Sequence, residues 1–331
     1  MENNTHDADL GPQATAARLV APGRGILAAD ESIRTMSQRL AAEGVEPTAE
    51  NRRAYRELLV TADGLGETVA GVIFCDETLG STLADGTPFG PACLDRGILP
   101  GIKVDTGTMP DADGVLITQG LDGLDARLEA AAGRGAAFAK WRAVIAVDSV
   151  RDRSLRENAA GLARYAAACQ AHGVTPIVEP EVLCSGAHGL RECADVTEWT
   201  LTAVFEELDR CGVDLAGIVL KPNMVTPGLD GPPATASAVA EATLGLLGSF
   251  VPATVPGIAF LSGGHTNATA CEYLAEINAL GTNAPWALTY SFGRALVSDA
   301  LHAWAQDGDT GAAQKILLAN CARASASLSQ R

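Results

Sequence analysis

Eight short apolar runs, each bounded by turn residues and separated by longer helical stretches, constrain this 331-residue chain more than any other feature. They are GILAAD (25–30), VAGVIFCD (69–76), GILPGIKVD (97–105), AAFAKWRAVIAV (136–147), VTPIVEPEV (174–182), LAGIVLKPNMV (215–225), GIAFLSGG (257–264) and WALTYSFG (286–293). Both faces of each run are apolar, the mark of strands covered on two sides. Helical patterns fill 49–63, 123–132, 154–171, 196–210, 236–248, 266–280 and 293–306. The interval 77–96 carries several Gly and Pro and predicts little helix. Alternating strands and helices predict an α/β fold with a parallel sheet. Eight strands is also the number that closes a (β/α)8 TIM barrel, here as a single domain. An open doubly wound sheet is the competitor, but no run is followed by GxGxxG or a P-loop. The barrel is expected over 11–321, with a disordered tail at 1–10 and a short flexible tail at 322–331.

The overall charge narrows the partners. Lys and Arg total 24 against 40 acids, a formal charge of −16. Such a chain repels nucleic acid and anionic membranes, although a small anionic substrate responds to a local pocket. No apolar run reaches membrane-spanning length, and Met1 to Leu10 has neither a basic start nor an apolar core, so a cytoplasmic enzyme is expected. The eight cysteines form no CxxC pair and predict reduced, buried thiols. The five histidines form no HExxH or related spacing, so no metal is expected.

Lysine is the telling residue. There are only four, Lys103, Lys140, Lys221 and Lys315, and three lie within apolar runs. Where charge alone is needed the chain uses arginine. Lysine, unlike arginine, can lose its proton and attack a carbonyl, and a buried amine beside another cation does so more readily. A lysine can also simply snorkel or pair with an acid. Three of four in strands favours chemistry, and Lys221 is the candidate amine.

In a barrel the active site lies at the C-terminal ends of the strands. There the runs carry Asp30 and Glu31; Asp76; Lys103 and Asp105; Lys140 and Arg142; Glu179 and Glu181; Lys221 and Asn223; Ser262, Gly263 and Gly264; and Ser291, Gly293 and Arg294. The pairs Lys140/Arg142 and Glu179/Glu181 each point to one side of their strand. A ring of buried charge is costly unless mutually compensated or functional. Ser262-Gly263-Gly264 before a helix, with Arg294 at the next helix start, suits a phosphate. Glu179 is a natural proton shuttle for Lys221, and Asp30 can take a hydroxyl proton.

Longer segments carry a resemblance. RLVAPGRGILAADES (18–32), ENRRAYRELLVTAD (50–63), GIKVDTG (101–107), FAKWRAV (138–144), LARYAAACQAHGVTPIVEPEVL (162–183), LKPNMVTPG (220–228), FLSGG (260–264) and WALTYSFGRAL (286–296) resemble class I fructose-bisphosphate aldolases, in order and over about 11–320. The resemblance implies a metal-independent glycolytic lyase, commonly a homotetramer. It implies reversible cleavage of fructose 1,6-bisphosphate to dihydroxyacetone phosphate and glyceraldehyde 3-phosphate. It places the Schiff-base lysine on Lys221, acid/base carboxylates on Glu179, Glu181 and Asp30, and substrate-facing cations on Lys140 and Arg142. One phosphate falls to Ser262, Gly263, Gly264, Ser291 and Arg294. The other falls to Ser32 and Lys103, with Arg39 as a further substrate-binding arginine.

The chain also departs from the family pattern. Arg34 and Thr35 replace a small serine/glycine segment, which leaves open a preference for another sugar phosphate. His265 stands for glutamine and Phe292 for tyrosine in animal members. Those members end in a longer tail whose terminal tyrosine assists proton transfer. The last tyrosine here is Tyr290, so another group is expected to do that work, or the step is slower. A non-catalytic scaffold on the same fold is the alternative of a different class.

Overall fold

A computed structural model describes residues 10–149 and 152–328. The expected tail at 1–10 lies almost wholly outside them. The strands are β1 (Gly25–Ala29), β2 (Val69–Phe74), β3 (Leu99–Lys103), β4 (Thr108–Pro110), β5 (Leu116–Thr118), β6 (Phe138–Ile145), β7 (Thr175–Val182), β8 (Val219–Leu220), β9 (Gly257–Phe260) and β10 (Ala287–Phe292). Eight of them close a barrel in the order β1-β10-β9-β8-β7-β6-β3-β2, every neighbouring pair parallel. The closed (β/α)8 barrel stands, and the open sheet does not.

The helices are α1 (Pro12–Leu19), α2 (Ile33–Ala42), α3 (Ala49–Val60), α4 (Asp76–Leu79), α5 (Phe89–Leu94), α6 (Leu124–Gly133), α7 (Asp152–Ala171), α8 (Leu190–Arg210), α9 (Ala236–Phe250), α10 (Asn267–Leu280), α11 (Arg294–Asp307) and α12 (Thr310–Ala326). Helix α12 runs past residue 321, where a flexible tail was expected. Cys321 and Ala324 are fully buried and Leu328 nearly so, which ties the segment to the core. Lys315 lies on this helix and is exposed, as an ordinary surface lysine. Among the described residues no helix is long and apolar enough to cross a membrane. All eight cysteines are free, and all but Cys211 are buried.

Two apolar layers position the site. The larger lies between strands and surrounding helices. The smaller fills the barrel bottom with Ile26, Ala28, Ile73, Leu99, Phe138, Ile177, Val219 and Ala259, closed from below by Ala16, Leu19 and Val20 of and just after α1. Side chains two apart on a strand share a face. Ascending from these plugs, therefore, Ala28 leads to Asp30, Phe138 to Lys140 and Arg142, Ile177 to Glu179 and Glu181, and Val219 to Lys221. Strand periodicity alone stacks the charges above an apolar floor.

The floor is tight around Phe138. A Cβ on Gly101 would lie 2.2 Å from its ring. Gly101→Ala is expected to destabilise the protein by about 1–3 kcal/mol through overpacking, read by urea unfolding. A change below about 0.5 kcal/mol would show that the ring shifts freely.

Candidate active site

The strand ends converge on a cavity of about 560 Å3. It is lined by Asp30, Ser32, Lys103, Lys140, Arg142, Glu179, Glu181, Lys221, Ser262, Gly263, Gly264, Ser291 and Arg294, all singled out from the sequence. Arg39 is the exception. Its guanidinium pairs with Glu31 and lies 3.4 Å from Ser298 Oγ, so it stands behind the wall and holds a lining residue. Arg56 grips the other oxygen of Glu31 at 3.0 Å.

At the cavity floor four charged groups form one chain. Lys140 Nζ lies 2.7 Å from Asp30 Oδ2 and 2.9 Å from Glu179 Oε2. Glu179 Oε1 faces Lys221 Nζ at 3.0 Å. Lys140 is 4% exposed, Glu179 3% and Lys221 3%. Burial pushes the Asp30 carboxyl up, but Lys140 and Lys221 overcome it and hold the group well below the usual carboxylate range. Glu179 is treated likewise: burial opposes ionisation, and Lys140, Lys221 and Arg142 prevail. Burial also disfavours the Lys140 ammonium, yet Asp30 and Glu179 raise it above the ordinary lysine value. The floor is thus a compensated set of charges, which answers the cost of burying them.

One turn higher, Arg142 pairs with Glu181. Asp105 is a strand-end acid whose role the sequence does not show. It takes Lys103 Nζ at 2.5 Å and receives the Arg142 backbone N–H at 3.3 Å. Glu31, Arg34, Thr35, Thr106 and Thr108 also line the cavity. Thr108 begins β4, whose hairpin with β5 is folded by Asp111, the acceptor of the Asp113 and Val115 N–H groups at 2.9 Å. Such Asx turns are legible in principle, but the flanking strands of three residues are too short to show a period.

The wall from β9 to β10 is built for an anion. Gly263 and Gly264 have φ of 58° and 91°, and a Cβ on Gly263 would meet Cys184 Sγ at 2.5 Å, so the turn needs glycine. Ser291 Oγ is buried and has no hydrogen-bond partner among the described residues, although it lines the cavity. Helix α11 starts at Gly293, which offers no side-chain cap, and this leaves its first N–H groups open to a ligand. His265 lies outside the cavity lining, edge-on to Tyr273, and burial lowers its pKa. Among the described residues no three His, Cys, Asp or Glu side chains are grouped to hold a metal ion.

Known proteins are similar to this chain over nearly its whole length. The family described as fructose-bisphosphate aldolase class-I matches residues 12–331. Cytosolic fructose-bisphosphate aldolase 5 of Arabidopsis thaliana is 47% identical over 93% of this chain and 87% of its own. A probable class 1 aldolase of Xanthomonas campestris is 47% identical over 92% of each chain. Fructose-bisphosphate aldolase C of Pan troglodytes is 49% identical over 90% of this chain and 84% of its own. The solved fructose-bisphosphate aldolase of Plasmodium falciparum superposes with a TM-score of 0.94 at 41% identity, covering 99% of this chain and 98% of that one. With eight parallel strands, a charged floor and matches of this length, the chain belongs to the class I fructose-bisphosphate aldolase family.

Proposed function

We propose that this chain cleaves fructose 1,6-bisphosphate reversibly into dihydroxyacetone phosphate and glyceraldehyde 3-phosphate through an imine on Lys221, without a metal ion. The observation that carries this is the unbroken chain Asp30–Lys140–Glu179–Lys221 at 2.7, 2.9 and 3.0 Å. Such a chain moves protons without solvent. Lys221 passes a proton to Glu179, and the free amine attacks the C2 carbonyl carbon. Glu179 returns that proton to the C2 oxygen, a second proton passes from the attacking nitrogen to the same oxygen, and water leaves, which produces the protonated imine.

Asp30 is held ionised and so is ready to accept the C4 hydroxyl proton. The C3–C4 bond then breaks, its electron pair passes to the imine nitrogen, and the aldehyde departs. Protonation at C3 and hydrolysis release the ketone and restore the lysine. Lys140 keeps both carboxylates ionised and offers a donor to a substrate hydroxyl. Arg142 and Glu181 hold each other at the rim, where Glu181 can assist in proton return.

One phosphate is assigned to Ser262, Gly263, Gly264, Ser291 and Arg294. The partnerless Ser291 hydroxyl and the uncapped start of α11 support that choice. The other is assigned to Ser32 and Lys103, while Arg39 acts through Glu31 as a positioning residue. We extend to the chain the cytoplasmic location carried in the names of plant relatives, and the homotetrameric assembly that the family resemblance implies.

Borohydride added with dihydroxyacetone phosphate is expected to leave a covalent adduct on Lys221, located by peptide mass spectrometry. Cleavage is expected to continue undiminished in EDTA. An unlabelled Lys221, or activity abolished by EDTA and restored by a divalent cation, would overturn the imine mechanism. A protein that turned over no sugar phosphate would be the scaffold of the alternative view.

A further inference from the structure

Six cationic side chains line the cavity, and four are already neutralised: Lys140 and Lys221 by Asp30 and Glu179, Arg142 by Glu181, and Lys103 by Asp105. Arg34 and Arg294 remain, with no carboxylate partner among the described residues. They stand apart. Arg294 Nη2 lies 3.5 Å from where a Cβ on Gly264 would be, beside the glycine turn. Arg34 lies on the first turn of α2, between Ser32 and Thr35. A second lobe of about 710 Å3 opens there, and Arg34, Ser32 and Lys103 line both lobes while Arg294 lines only the first.

Arg34 is exposed at the cavity mouth, and two features favour an anion beside it. A cation on the first turn of a helix opposes the helix dipole, and no acid stands in that turn of α2 to offset it. Lys103, the other cation of this end, carries little free charge. Its ammonium sits 2.5 Å from Asp105 Oδ1 and donates to the Asp105 carbonyl at 2.9 Å. A phosphate dianion there finds two hydroxyls and one neutralised amine, and Arg34 is the cation that completes the set.

We propose that Arg34 is a specificity-determining residue: its guanidinium binds the phosphate farther from Arg294 and so selects doubly phosphorylated ketoses over monophosphates. This rests on the aldolase activity proposed for the same site. The test measures kcat and KM for fructose 1,6-bisphosphate and fructose 1-phosphate with the unaltered protein, Arg34→Ala and Arg34→Lys. Arg34→Ala is expected to lower kcat/KM for the bisphosphate about tenfold more than for the monophosphate, mostly through KM. Arg34→Lys is expected to recover part of the difference. A bisphosphate-to-monophosphate ratio within about twofold of the unaltered protein in both variants would overturn the assignment and leave Arg34 a surface residue. If the unaltered protein cleaved neither sugar, the aldolase proposal itself would fall.

Discussion

Replacing Lys221 by arginine is expected to abolish turnover, with kcat falling on the order of 10^4-fold or more, while the protein stays folded. The choice of arginine separates charge from chemistry. Lys221 is buried with its ammonium 3.0 Å from Glu179 Oε1, so an apolar substitute would strip Glu179 of one of its cations and confuse lost catalysis with lost stability. Arginine keeps a positive charge near that carboxylate, yet stays protonated at any working pH and cannot form the imine. Thermal melting should therefore move by only a few degrees, and borohydride with dihydroxyacetone phosphate should leave no adduct. Retention of more than about a hundredth of the original kcat would mean that another amine carries the imine. Lys140 is then the one to examine, since it shares Glu179 with Lys221 at 2.9 Å.

The barrel was legible because its signal is redundant. Each buried strand reads as an apolar run, and the alternation with helices recurs around the whole ring. Where redundancy ends, legibility does too. The sixth run reads as a strand over 215–225, but only Val219 and Leu220 join the ladder as β8. Lys221 N–H still reaches Val178 O at 2.8 Å, but Pro222 has no N–H to donate and only accepts, from Leu261 N at 3.0 Å, so regular strand pairing stops there. Helix α2 gave little period, because only Met36 and Leu40 of its ten residues are buried. Helix α8 starts at Leu190, earlier than the apolar period shows, where the Glu192 carboxylate accepts the Gly189 N–H at 2.6 Å. The chemistry-bearing positions were visible as strand-end charges in apolar surroundings. Their pairing was not. That Asp105 neutralises Lys103, or that Arg39 turns to Glu31, depends on side-chain directions that emerge only when strands and helices meet.

Lys140→Met provides the second large effect, because one ammonium serves two carboxylates, Glu179 buried and Asp30 mostly covered. Without it Asp30, which is partly exposed, loses the cation 2.7 Å away, and the buried Glu179 loses the one 2.9 Å away. Breaking such a set from one side costs roughly 3–5 kcal/mol near neutral pH. Activity should fall on the order of 10^3-fold, because a protonated Asp30 cannot accept the substrate hydroxyl proton. The pH dependence identifies the cause. In the unaltered protein Asp30 is held below its ordinary 3.8, and its contribution to stability is present above that value and lost as pH falls through the folded pKa. In the variant, burial dominates and the folded pKa rises above the unfolded one. The sign then reverses: below that raised pKa the folded state binds the extra proton, and stability is regained as pH falls. Urea unfolding of both proteins between pH 8 and about pH 4 should therefore show the stability gap narrowing toward acid. A gap constant across that range would mean that Lys140 supports the floor by packing alone, and the charge-compensated chain from Asp30 to Lys221 would have to be abandoned.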